Sequence, residues 1–180
     1  MAGLFVQKHA EAVRAQGVDV RVLSTYSWRE LWREWRDFRR SGWMPDIVQL
    51  NVIQKQGLLA KTIGVPYIIV EHWSGYLPEN GQFSRMSRFK RDLYRHIANN
   101  AEMILTVSEP LQKAMQACGI ENEHWGTIDN VVDDFFFEPR VKSQESRVKT
   151  LLHVSCFDER AKNVKGLLRA AKMLSEKRQD

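Results

Sequence analysis

The sequence predicts an α/β domain in which a parallel sheet is flanked by helices. Three observations carry this. Short runs of β-branched and aromatic residues alternate along the chain with longer stretches of helical period. Each strand-like run is separated from the next by a helix-like segment, the order of βαβ units, whose crossovers return the chain to the same end of the sheet. With 180 residues and 43% hydrophobic content, the chain is long enough for one full core and part of a second.

The elements follow in order. Residues 4–16 carry Phe5, His9, Ala12 and Val13 on one helical face, and Gly17 supplies the stop. "VDVRVLS", residues 18–24, alternates with period two and reads as a strand. Residues 28–40 place Trp28, Leu31, Trp32, Trp35 and Phe38 on one helical stripe. "DIVQLNV", 46–52, is a short strand; 55–63 is a helix; 66–70 is a buried strand that runs straight into Glu71, His72, Trp73, Ser74, Gly75 and Tyr76. Residues 83–99 read as a long amphipathic helix with Phe83, Met86, Phe89 or Lys90, Leu93 and Ile97 on its apolar side. "EMILTVS", 102–108, is a strand, and Ser108 stands at an N-cap with Glu109 and Pro110 in the first turn of a helix reaching about Ala117. Residues 124–130 form a weak strand.

Residues 138–149 are polar and unpatterned, a linker. "TLLHVSCF", 150–157, then reads as a fresh buried strand and 162–177 as a fresh helix. The expected organisation is a domain over 1–137, a linker over 138–149 and the start of a second, incomplete domain over 150–180.

Composition narrows the function classes. Cys118 and Cys156 lie far apart, in no metal-like spacing, which argues against a disulfide framework or a zinc site and fits a reducing cytosol. No run approaches the roughly 18 apolar residues of a spanning helix. The first residues lack a signal-peptide layout. No Gly-x-Gly-x-x-Gly is present, and no Ser, Cys or His spacing suggests a nucleophile triad or metal centre. The net charge of +5 permits contact with phosphates or an anionic surface without choosing among them. Aromatic and basic residues mix in 28–40 as they do in nucleic-acid binders. Its aromatics, however, share one helical stripe, so the reading is core or interface, with no nucleic-acid partner.

Ligands of open parallel sheets bind beyond the carboxyl ends of the strands. Residues 71–76 therefore lie where a ligand would sit.

Several stretches, in this order, resemble the family 4 retaining glycosyltransferases, which have the two-domain GT-B architecture. They are "GLFVQKHAEAVRAQGVDVRVLS", "PDIVQLNVI", "GVPYIIVEHWSGY", "AEMILTVSEPLQKAM", "IDNVVDDFFF" and "LLHVSCFDERAKNVKGLLRAAKML". The resemblance implies a Rossmann-like acceptor domain followed by the opening strand and helix of the donor domain. The family's first strand, usually placed before the helix at 4–16, is missing. The chain departs from the family in several places. "QLNV" stands for the usual His-Xaa-His, Val131 for the crossover Gly and Cys156 for an Arg. The Glu-X7-Glu segment that grips the donor is not among the 180 residues. The expectation is an acceptor domain with a stub of donor domain, truncated at both ends, in a cytoplasmic hexosyltransferase-type enzyme, the fragment itself inactive.

The resemblance places His72 near the transferred sugar; the alternative is a half-buried histidine capping a strand. Glu71 orients His72, accepts from a sugar hydroxyl, or is a plain strand-end carboxylate. Trp73 and Tyr76 stack on a sugar or lipid acceptor, or pack between strand end and loop. Gly3, at the first helix N-terminus, approaches donor phosphate or acceptor through backbone amides. Lys162 is the candidate diphosphate contact and Lys165 a second; the alternative is a pair of solvated helix lysines. Asn130 shapes the crossover turn. The implied partners are a nucleotide-sugar donor and a glycan or lipid-linked acceptor, with no cofactor and no metal. The basic helix at 83–99, with Arg85, Arg88, Lys90, Arg91 and Arg95 against Asp92, is the candidate for peripheral contact with an anionic membrane; the alternative is an ordinary solvated face. Two rival readings stand beside the transferase. One is a non-catalytic module binding acceptor or partner. The other is a GT-B nucleotide-sugar epimerase.

Overall fold

The computed structural model describes residues 4–24, 27–132, 135, 137 and 151–177. Its centre is a four-stranded sheet: β1 (Val48–Asn51), β2 (Tyr67–Glu71), β3 (Met103–Thr106) and β4 (Trp125–Thr127), in spatial order β1-β2-β3-β4. All three pairings are parallel, with Leu50 opposite Ile69, Ile69 opposite Ile104 and Ile104 opposite Trp125. The helices are α1 (Leu4–Ala15), α2 (Trp28–Arg40), α3 (Gly57–Ile63), α4 (Arg88–Asn99), α5 (Glu109–Ala117), α6 (Glu159–Lys162) and α7 (Val164–Lys177). This is the predicted Rossmann-like α/β class.

Spatial order follows chain order, so each crossover steps in the same direction. Right-handed crossovers then put α3, α4 and α5 on one face of the sheet. The packing agrees: Ala60, Tyr94, Ile97, Ala98, Leu111, Ala114 and Met115 share one buried cluster with Tyr67, Ile69 and Ile104. Gly57 opens α3 because a Cβ there would meet Ile97 at 2.7 Å, and any side chain would push α3 away from α4. The Ser108 hydroxyl accepts from Leu111 N (3.4 Å), capping α5 as its sequence predicts. A second, smaller cluster joins α2 to α3 through Leu31, Trp35 and Leu59.

Several elements differ from the sequence reading. Residues 18–24 form no strand despite their period, because no neighbouring strand among the described residues supplies the ladder; Arg14 instead reaches Val20 O (2.7 Å). The helix expected over 83–99 starts at Arg88, since the Ser87 hydroxyl accepts from Lys90 N and caps it there. Phe83 is buried from the preceding loop, whereas Phe89 is 81% exposed. The buried stripe of α4 is Tyr94, Ile97 and Ala98, with Leu93 packed against the core, so Ile97 and Leu93 face inward as expected. Trp32, expected on the covered stripe of α2, is 51% exposed. Residues 151–154 form no strand, Leu151, Leu152 and Val154 are exposed, and α7 buries none of its residues. The linker expected over 138–149 lies outside the described residues. No helix among the described residues is long and apolar enough to cross a membrane.

Candidate functional site

The carboxyl ends of β1 and β2 lie side by side, Asn51 opposite Val70. Glu71 closes β2 and is fully buried. Its carboxylate accepts three backbone hydrogen bonds: from Ile53 N (2.9 Å), His72 N (3.0 Å) and Trp73 N (2.9 Å). The chain leaves β1 through Val52 at φ +70°. A β-branched residue pays on the order of 1–3 kcal/mol there, and the turn it makes aims the Ile53 amide at Glu71. One carboxylate thus ties together the ends of both strands. Burial pushes its pKa up to about 7, against the pull of the three amides.

His72 follows, half-buried. Its ring lies 4.3 Å from the Phe5 ring of α1, tilted by 43°. Nε2 is buried and has no hydrogen-bond partner. Burial, and then the positive charge of His9, hold its pKa below the usual histidine value, while a hydrogen bond with the Asn130 side chain pulls the other way. Gln49 Nε2 lies 3.4 Å from His9 Nδ1 and donates to Asn51 Oδ1 (3.2 Å). Two imidazoles and three carboxamides therefore gather around the ends of β1 and β2. These groups offer both donors and acceptors, which is what hydroxyl groups require of a binding site.

The remaining expected residues fall in three places. Trp73 and Tyr76 pack on each other edge to face, 5.1 Å apart, and Tyr76 is 3% exposed against Phe83. Tyr76 is thus a core residue beneath the site, its hydroxyl without a partner. Lys162 and Lys165 are exposed, at the end of α6 and the start of α7. Gly3 lies outside the described residues. Among the described residues no group of three or more His, Cys, Asp or Glu is placed to hold a metal ion.

Gly75 is fixed by the Trp73 ring, which an added Cβ would overlap. Gly75→Ala should displace that ring and lower stability by about 1–3 kcal/mol. Denaturation followed by tryptophan emission checks this, and an unchanged midpoint would contradict the packing.

Sequence reasoning missed His9, which reads there as one position of an apolar helical face. It registered Gln49 and Asn51 only as substitutes for histidines and Asn130 only as a turn residue. Their place at strand ends was the usable sign, because that is where such sheets bind ligands.

No curated protein matches the chain. The family model Glycosyltransferase Family 4 matches residues 23–134, more than half of the chain, and this span holds all four strands and every member of the polar cluster except His9. A parallel sheet with this cluster at its carboxyl edge, inside a match of that extent, is the basis for the conclusion that the chain belongs to glycosyltransferase family 4.

Proposed function

We propose that this chain is the acceptor-side domain of a hexosyltransferase that moves a sugar, with retention, from a nucleotide sugar to a glycan or lipid-linked acceptor in the cytoplasm. The observation that carries the reading is His72: a half-buried imidazole with an unpaired Nε2, set among carboxamides at the strand ends. Its lowered pKa keeps the ring neutral near pH 7, so Nε2 can exchange a hydrogen bond with a hydroxyl without imposing charge. Gln49, Asn51 and Asn130 orient further hydroxyls. Positioning of this kind turns an encounter of two substrates into one bound geometry. Glu71 serves through the backbone: it fixes the His72 amide, and with it the direction in which the ring leaves the strand. Lys162, with Lys165, supplies positive charge to the leaving diphosphate, and Gly3 its backbone amide.

Calorimetric titration of the chain tests the division of labour. Oligosaccharide or polyprenyl-phosphate acceptors should give heat that His72→Ala abolishes, whereas UDP- and GDP-sugars should give none. Micromolar binding of a nucleotide sugar would mean that the segment around Lys162 holds the donor by itself, against this division. Silence with every acceptor would remove the strand-end cluster as the acceptor site.

A further inference from the structure

The charges of α2 alternate along the sequence but not around the helix. At 3.6 residues per turn, Arg29, Arg33, Arg36, Arg39 and Arg40 fall within a sector of about 120°, and Glu30, Glu34 and Asp37 within the adjoining 60° or so. Leu31, Trp35 and Phe38 face the α2–α3 cluster on the remaining side. All five arginines are exposed. Arg40 approaches Asp37 at 3.9 Å, while Arg29, Arg33, Arg36 and Arg39 have no carboxylate partner among the described residues. Trp32, 51% exposed, stands one step or one turn from Arg29, Arg33 and Arg36. Trp28, Trp32, Arg29, Arg33, Arg36 and Arg39 lie together on this face.

From this arrangement we infer that α2 docks the protein on an anionic lipid surface. Unpaired arginines on an outward sector complement a layer of phosphate headgroups, and an exposed tryptophan among them has the amphipathic ring that settles at headgroup depth. The helix face is convex and carried by a single element, so a planar layer can meet all of it at once. The basic helix that the sequence singles out for this role, α4, is less suited. Arg95 is committed to Cys118 O and Asp92, Arg91 to Ser84 O, and Arg88 lies 3.8 Å from Asp92. This inference stands independently of the transfer reading, since it concerns binding alone.

Co-sedimentation of the full chain with phosphatidylcholine vesicles, with and without phosphatidylglycerol, tests it. The chain should sediment with the anionic vesicles only, its tryptophan emission should shift to the blue, and high salt should release it. Arg33→Gln/Arg36→Gln should weaken partition roughly tenfold or more, with far-UV dichroism unchanged because both side chains are exposed. Trp32→Ala should remove most of the emission shift, and Arg88→Gln/Lys90→Gln should leave partition as it was. Equal binding to neutral vesicles, no binding at all, or indifference to the α2 pair would overturn the inference. So would displacement from the vesicles by single-stranded RNA at equal phosphate, which would make α2 a nucleic-acid surface.

Discussion

Glu71→Ala should lower the free energy of unfolding by about 3–5 kcal/mol, as measured by urea denaturation. The reason is geometric. Three amides, that of buried Ile53 and those of half-buried His72 and Trp73, converge on the two oxygens of one carboxylate. Removing the acceptor strands all three, and each orphaned buried donor costs about 1–3 kcal/mol. The turn at Val52 also loses the bond that offsets its backbone strain, so the end of β1 should move away from β2. Glu71→Gln should be milder. Its carbonyl can replace one oxygen, but its NH2 must then face an amide donor. The pH dependence has a definite sign. The folded pKa, about 7, lies above the value of 4.5 for a free glutamate, so the folded state holds the proton more tightly than the unfolded one. The contribution of this group is therefore fully present below pH 4.5 and is lost as pH rises through 7. The gap in stability between the parent and Glu71→Gln should narrow over that window. A gap independent of pH, or an alanine variant as stable as the parent, would refute the role.

The dual use of Glu71 explains how far the sequence could be read. The helices and strands of the core were legible because burial imposes period: Leu31 and Trp35 on α2, Ile69 in β2, Leu111 and Met115 on α5 all follow it. Where period and partner disagree, the partner decides. Residues 18–24 alternate like a strand yet find no ladder, and Leu151, Leu152 and Val154 are apolar yet exposed. At the site, the sequence marks the segment through the run of polar and aromatic residues after β2, and it marks His72. It does not show that Glu71 points into the core, nor that Tyr76 lies under the site, because side-chain direction at a strand end is set by the loop that follows. His9 and Asn130 are separated from His72 by 63 and 58 positions, and only the crossover topology makes them neighbours.

His72→Ala, made in the enzyme that carries this domain, should reduce transfer by about 10²-fold or more while leaving the fold intact. The neutral imidazole is the required form, so activity should fall as pH drops through the His72 pKa, which lies below 6.5. Two neighbours move that acidic limb in opposite directions. His9 lowers the pKa by charge, so His9→Ala should shift the limb to higher pH. The Asn130 hydrogen bond raises it, so Asn130→Ala should shift the limb to lower pH. A residue serving only as packing would change the height of the profile and leave the limb where it was. Stability follows the same sign as the depressed pKa: the contribution of His72 is present above pH 6.5 and declines as pH falls toward the folded value. Steady-state kinetics across pH for the three variants decides the matter. An unchanged rate in His72→Ala would take the imidazole away from the reacting centre. Limbs that move together in His9→Ala and Asn130→Ala would show that another group sets the profile.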